Sequence, residues 1–246
     1  MNYEIEQLLR RQGASLIGFG RIEGLYSKGN HEKDQKSMIN PFEFVHHPIG
    51  ISIALAYPRE IIKNIKEAPT MEYYDAYHQL NQKLDDLANL CADYIKERGY
   101  HAYPQTTKSI KQYGEYRTIM PHKTVAVKAG LGWIGKSALF ITEPYGSALR
   151  LTSVLTNAPL ITNEVNLQSK CKNCKVCVKA CPANAISGRS FREDLDRDEF
   201  YNAKACYKAA REISAKSLNK EITLCGKCIE VCPYTKRYLG NIEAKG

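Results

Sequence analysis

Apolar residues along this 246-residue chain switch between two spacings. In the segment NYEIEQLLRRQG, Ile5, Leu8 and Leu9 recur at helical intervals, which predicts an amphipathic helix from Asn2 to about Gly13. ASLIGFG follows as a short strand with a glycine-containing exit, and the stretch from Arg21 to about Asn40 is polar and irregular. IGISIALAYP, from Ile49 to Pro58, is apolar almost without a break. It predicts a buried strand that the proline stops, because proline has no N–H to give a central ladder. After a loop ending near Thr70, apolar positions at Tyr73, Tyr77, Leu80, Leu84, Leu87, Leu90 and Ile95 mark one long helix, and Gly99 is placed to close it.

Beyond that helix, YHAYPQ reads as short and extended. Pro121 suits the first turn of a helix from His122 to about Ala129, which Gly130 would end. SALFIT and ALRLTSVLT read as two strands, and the turn-rich EPYG between them predicts a hairpin. Helices and strands thus mix without a regular β-α-β repeat, which is the pattern of an α+β fold. A break between Pro159 and Ser169 divides the chain into residues 1–160, a candidate cofactor or substrate domain, and residues 161–246.

The second part changes the picture. Eight of the nine cysteines gather there: Cys171, Cys174, Cys177 and Cys181 in CKNCKVCVKACP, Cys225, Cys228 and Cys232 in CGKCIEVCP, and Cys206 between the runs. The first run is the C-x2-C-x2-C-x3-C-P pattern of two-cluster ferredoxins, whose fourth cysteine ligates the other cube. The second run lacks its first member, since Ile222 stands three before Cys225, and Cys206 is the natural substitute. Crossed ligation then gives one 4Fe-4S cluster to Cys171, Cys174, Cys177 and Cys232, and the other to Cys181, Cys206, Cys225 and Cys228. Zinc held by two C-x2-C pairs is the rival reading, but it leaves four cysteines unexplained. Disulfides are the remaining alternative, against which stands the lack of a secretory leader: the N-terminal segment reads as a helix. Cys91, inside the long helical pattern, reads as a small buried apolar residue.

Composition is that of a globular protein, with 43% hydrophobic residues and no apolar run long enough for a membrane span, so the expected location is the cytoplasm. The formal charge of +9 falls to about +5 once eight thiolates and two cluster cores are counted. Lys170, Lys172, Lys175 and Lys179 interleave with the first run. They either form a solvated face or steer an acidic electron donor. The chain has no basic arm or nucleic-acid recognition motif of the usual kinds.

Gly130 to Ser137 spell GLGWIGKS, which satisfies the Walker A pattern letter for letter. A phosphate-binding loop needs a strand before it and a helix after it. Here KTVAVKA before it looks helical and ALFIT after it looks like a strand, so nucleotide binding is not expected. Gly130, Gly132, Gly135 and Lys136 remain candidate contacts to another cofactor, with tight turns and close packing as the plainer reading.

The set AGLGWIGKSALFI, YGSALRLTSVLTNAPL, the first cysteine run continuing as CPANAI, CYKAA and CGKCIEVCP resembles the epoxyqueuosine reductase family over roughly Thr124 to Pro233. LIGFG and ISIALAYP resemble that family's N-terminal strands. The resemblance implies an α+β domain related to reductive dehalogenases and nitroreductases, a base-off cobalamin, and two 4Fe-4S clusters with Cys206 as eighth ligand. It also implies a low-potential donor of ferredoxin or flavodoxin type, and reduction of epoxyqueuosine to queuosine in tRNA. Two features depart from the family. The helical-repeat region used against tRNA has no counterpart after the second run, and Thr118 stands where the family has an acidic residue. Glu115, Tyr113 or Tyr116 could supply the proton instead, although surface residues of these types are far commoner than catalytic ones.

Two functions follow. One is an iron-sulfur oxidoreductase that passes electrons through both clusters to a corrinoid-dependent reduction. The other is an electron-transfer protein that reduces or reactivates a partner corrinoid protein. A flavin in the N-terminal domain is a further option that no residue decides. Among the six histidines, adjacent His46 and His47 fit no ligand spacing, and His122 is singled out by its place before the glycine segment. Tyr73, Tyr74 and Tyr77 sit at helical spacing and read as core or rim.

Overall fold

The computed structural model describes residues 1–23, 25, 46–110, 116–118, 120–165 and 168–240. Most of the polar stretch from Arg21 to Asn40, and the candidate acids Tyr113 and Glu115, lie outside the described residues. The chain forms two compact units, each built from three stretches: Met1–Leu55, Asn81–Leu131 and Arg150–Asn166 in the first, and Ala56–Leu80, Gly132–Leu149 and Leu167–Gly246 in the second.

In the first unit, helix α1 (Asn2–Arg11) buries Ile5 and Leu9 and carries Glu4 in its first turn and Arg10 and Arg11 in its last, charges that suit the helix dipole. Strand β1 (Leu16–Arg21) pairs antiparallel with β2 (Ile49–Ala56), Leu16 facing Ala54 and Arg21 facing Ile49. Strand β3 (Ala102–Pro104) pairs antiparallel with β6 (Leu149–Thr156), and the sheet runs β1-β2-β6-β3. The unbroken apolar character of β2 follows from this central position: seven of its eight residues are buried. Helix α4 (His122–Lys128) starts after Pro121 and buries Val125, Ala126 and Val127, while Ile22, Met120, Val125 and Leu155 cluster together. Residues 161–165 also return to this unit, where Asn163 N–H donates to Phe19 O at 2.7 Å and Ile161 N–H donates to Asn2 Oδ1 at 3.0 Å.

In the second unit, α2 (Arg59–Lys63) and the start of α3 (Met71–Lys96) contribute Tyr57, Ile62, Ile65, Tyr73 and Ala76 to a core shared with Leu224, Ile229 and Leu239. Tyr74 and Tyr77 are packed at its rim, as their helical spacing suggests. Cys91, further along α3 where the helix belongs to the first unit, is fully buried, and burial pushes its thiol up to about 12.

The expected hairpin between SALFIT and ALRLTSVLT is reduced to its turn: Thr142 and Gly146 exchange backbone hydrogen bonds of 2.9 and 3.0 Å across EPYG in an isolated antiparallel bridge, and the two strands do not pair beyond it. Strand β4 (Trp133–Ile134) pairs with β5 (Phe140–Ile141), while β6 belongs to the larger sheet. The residues after EPYG have other partners: Ser147 N–H donates to Thr235 Oγ1 at 3.1 Å, and Ala148 O accepts from Tyr57 N–H at 3.0 Å. Gly146 is required at this turn, since its φ is +57° and a Cβ there would collide with the backbone of Thr235. The chain thus folds back at EPYG as its local pattern favours, and long-range bonds carry it off before the two strands can pair.

A cysteine-lined candidate redox centre

Short elements of the second unit present the thiols. Cys171 and Cys174 lie in a turn closed by Cys174 N–H donating to Cys171 O at 2.9 Å. Cys177 is on helix α5 (Val176–Ala180) and Cys181 ends it. Between the runs, α6 (Arg197–Phe200) is capped by Asp196, whose carboxylate accepts from Asp198 N–H at 2.7 Å. Helix α7 (Ala203–Leu218) is capped by Asn202, whose side chain accepts from Ala205 N–H at 2.9 Å, and this fixes the turn that carries Cys206. Cys225 precedes α8 (Lys227–Glu230), which holds Cys228, and Cys232 caps α9 (Pro233–Tyr238). A proline follows Cys181 and Cys232 alike, and Pro233 opens α9.

Electrostatics shows which thiols are neighbours. Burial, and then the negative charge of Cys171, Cys174 and Cys232, push the Cys177 thiol up to about 11. Cys225 is raised by burial and by Cys206 and Cys181, and Cys228 is raised by burial and by Cys225, Cys206, Cys177 and Cys181. The sequence-distant Cys232 therefore stands with the first triplet, and Cys206 stands with Cys181, Cys225 and Cys228. Such gathered thiols resist ionising by themselves, whereas a bound cation reverses the balance. Cys171, Cys174, Cys177, Cys228 and Cys232 border a cavity of about 360 Å³ together with Lys136, Lys170, Lys172 and Arg237. Among the described residues, no three His, Cys, Asp or Glu side chains converge closely enough to hold a single metal ion.

The glycine segment has the order expected of something other than a phosphate loop: α4 precedes it, β4 lies within it and β5 follows. Gly130 has φ +71° and a Cβ there would meet Glu164 O at 2.6 Å, while side chains at Gly132 and Gly135 would run into Ile141. These glycines serve backbone packing. Trp133, buried, packs edge-on against Tyr234 with ring centroids 4.8 Å apart, and these two cluster with Ile141, Cys171 and Cys232.

In the first unit, His122 Nδ1 lies 3.0 Å from Ser153 Oγ, and burial followed by the charge of Arg150 lowers the imidazole to about 4. Arg150 Nε–H donates to Asn81 Oδ1 at 2.9 Å. Ser52 Oγ and Gln105 Oε1 are buried without hydrogen-bond partners among the described residues. His46 is exposed, and His47 packs edge-on to His101. Tyr116 is exposed with φ +59°, and Thr118 is half-buried.

Sequence reasoning missed two residues that shape the centre. Tyr201 lies beside Cys206, and burial and then the charge of that thiol raise its phenol, while Ser214 ties α7 to the irregular segment before Cys225. Neither sits at a motif spacing. Only the Asn202 cap, adjacent to Tyr201, carries a local signal.

Residues 170–235 match the family described as 4Fe-4S double cluster binding domain. The epoxyqueuosine reductase of Atelocyanobacterium thalassa (isolate ALOHA) is 35% identical over 229 residues, covering 88% of this chain and 70% of that protein. The chain spans about half the length of other curated relatives it matches, from 48% to 54%. Among solved structures, an epoxyqueuosine reductase with a tRNA-Tyr epoxyqueuosine-modified stem loop superposes with a TM-score of 0.62 at 20% identity, over 96% of this chain and 65% of that one. A reductive dehalogenase described in connection with B12-dependent dehalogenation gives 0.66 at 18%, over 98% and 32%. The α+β fold is the one these enzymes share. Among the described residues, no helix is long and apolar enough to cross a membrane.

Proposed function

The chain belongs to the epoxyqueuosine reductase family, and from that premise we propose that it is a cytoplasmic iron-sulfur reductase acting on epoxyqueuosine in tRNA. The observation that carries this reading is the pairing of two thiol neighbourhoods inside a double-cluster match. One 4Fe-4S cluster is held by Cys171, Cys174, Cys177 and Cys232, and the other by Cys181, Cys206, Cys225 and Cys228. The donor set fits: each quartet is all-sulfur and partly buried, and the cavity beside the first is bordered by its thiols. Lys136 is a cofactor contact, with a cluster and not a nucleotide as its neighbour.

Removing an epoxide oxygen as water requires two electrons and two protons, so the two one-electron clusters act in relay. Electrons enter from a low-potential donor of ferredoxin or flavodoxin type, for which exposed Lys172, Lys175 and Lys179 form an attractive surface. A corrinoid in the first unit would supply the low-potential cobalt centre that meets the substrate. The unsatisfied Ser52 Oγ and Gln105 Oε1 are polar atoms that such a group would satisfy. His122, held neutral at pH 7 in the same unit, can orient a hydrogen bond but does not supply either proton; both come from solvent or another acid.

The test is anaerobic purification, metal analysis and incubation with an epoxyqueuosine-containing tRNA stem-loop and a chemical reductant, with nucleosides read by mass spectrometry. About eight iron and eight acid-labile sulfur per chain, one cobalt, and conversion to queuosine are expected. A protein loaded with clusters and corrinoid that leaves the epoxide intact overturns the proposal.

A further inference from the structure

Lys136 is only 5% exposed, yet it carries a cationic head. Among the described residues its one hydrogen bond runs from Nζ to the backbone carbonyl of Lys172 at 2.6 Å, and no carboxylate pairs with it. It borders the same cavity as all four thiols of the first quartet, Cys171, Cys174, Cys177 and Cys232, whereas of the second quartet only Cys228 reaches that cavity, and the described residues lining it include no Asp or Glu. The other cations there differ in kind: Lys170, Lys172 and Arg237 are exposed, and Lys170 is paired with Glu143. A buried charge left without a counter-charge is costly, and native proteins pair such groups. The groups lining this cavity that turn negative on binding iron are its thiols.

We propose that Lys136 is the resident counter-ion of the cluster held by Cys171, Cys174, Cys177 and Cys232, a positioning residue whose charge favours that cluster's reduced form. The proposal rests on the two-cluster reading above. Adding one electron makes the thiolate-ligated core one unit more negative without making or breaking a bond. A fixed positive charge therefore stabilises the reduced state more than the oxidised one, and the effect grows where water is excluded. The same ammonium holds the carbonyl of Lys172, which sits at φ +43° between Cys171 and Cys174, so it also fixes the turn that spaces two of the thiols. The lysine of the glycine segment thus serves an anion, as the letters of its motif suggest, but that anion is an iron-sulfur core.

Wild type and the variants Lys136→Arg, Lys136→Gln and Lys136→Met, reconstituted without oxygen, are titrated with dithionite and followed by electron paramagnetic resonance. In the Gln and Met variants the reduction equilibrium of one cluster shifts about tenfold, which is about 59 mV more negative for a one-electron couple, while the other cluster is unmoved. Arg retains the wild-type potential. Gln keeps a donor for the Lys172 carbonyl, so a Gln variant that behaves as wild type, or equal potentials throughout, overturns the proposal. Should the Met variant lose the cluster, the Gln and Arg variants decide by the same criterion. Absence of clusters from wild type would instead remove the two-cluster reading itself.

Discussion

Replacing Ser214 by alanine removes the tie between two ligand-bearing segments without touching a thiol. Ser214 is fully buried on α7, eight residues after Cys206. Its hydroxyl donates to Ile222 O at 2.6 Å and accepts from Ile222 N–H at 3.1 Å, three residues before Cys225. Alanine leaves both backbone groups of Ile222 without that partner. Because Ile222 is half-buried, the loss lies near the low end for each group, about 2 kcal/mol together. The better helix propensity of alanine returns about 0.5 kcal/mol. The lost bonds win by about 1.5 kcal/mol, which for a chain of this size lowers Tm by about 3–6 °C. Thermal unfolding of the metal-free protein under reducing conditions reads the first effect. Iron content after anaerobic reconstitution reads the second: the cluster that needs both Cys206 and Cys225 is taken up less fully, so iron falls from about eight toward about four per chain. An unchanged or higher Tm together with full iron would refute the reasoning, because helix propensity would then have outweighed the tie.

Substituting Cys206 by serine should abolish one cluster and spare the other, so that iron drops by about half and one paramagnetic signal persists; two intact signals would show the ligand assignment to be wrong. Asn202→Ala removes the cap of α7 and should lower Tm by about 2–4 °C, from a loss of about 1 kcal/mol, measured by the same unfolding curves. His122 is held near 4 when folded and returns to about 6.5 when unfolded, so the unfolded chain binds the extra proton between these values. Its contribution is fully present above pH 6.5 and fades as pH falls toward 4, on the order of 3 kcal/mol in all. His122→Leu should flatten the fall in Tm across that window, and an unaltered slope would show that other groups carry it.

Much of the fold was readable from periodicity, because the elements concerned bury one consistent face. The long helix announced itself through Tyr73, Leu84, Leu87 and Ile95, all buried in the fold, and β2 through its continuous apolar run. The turn at EPYG was legible and forms, but the strand pairing expected beyond it does not, because local pattern does not contain Thr235, 88 residues beyond Ser147, whose hydroxyl takes the Ser147 N–H. The composition of the two units is equally non-local: residues 150–166 join the first unit through bonds from Asn163 and Ile161 to β1 and α1. At the candidate centre, cysteine spacing is a covalent fact of the chain and is visible at once. Tyr201 and Ser214 act through proximity created by folding, and a lone tyrosine or serine carries no spacing that reveals it.

The neighbourhood of Cys177 and Cys232 bears on how the protein is made. Roughly 55 residues separate them in the chain, so at about 5–20 residues per second the ribosome needs on the order of several seconds to deliver the second after the first. Through that interval Cys171, Cys174 and Cys177 are three nascent thiols without their fourth companion, and the other quartet is likewise incomplete until Cys228. If the clusters take the ligands proposed above, the chain is expected to need reducing conditions while it emerges, and iron delivery to wait for residues 225–232. An oxidant pulse during synthesis is expected to damage this protein far more than the same pulse applied after assembly.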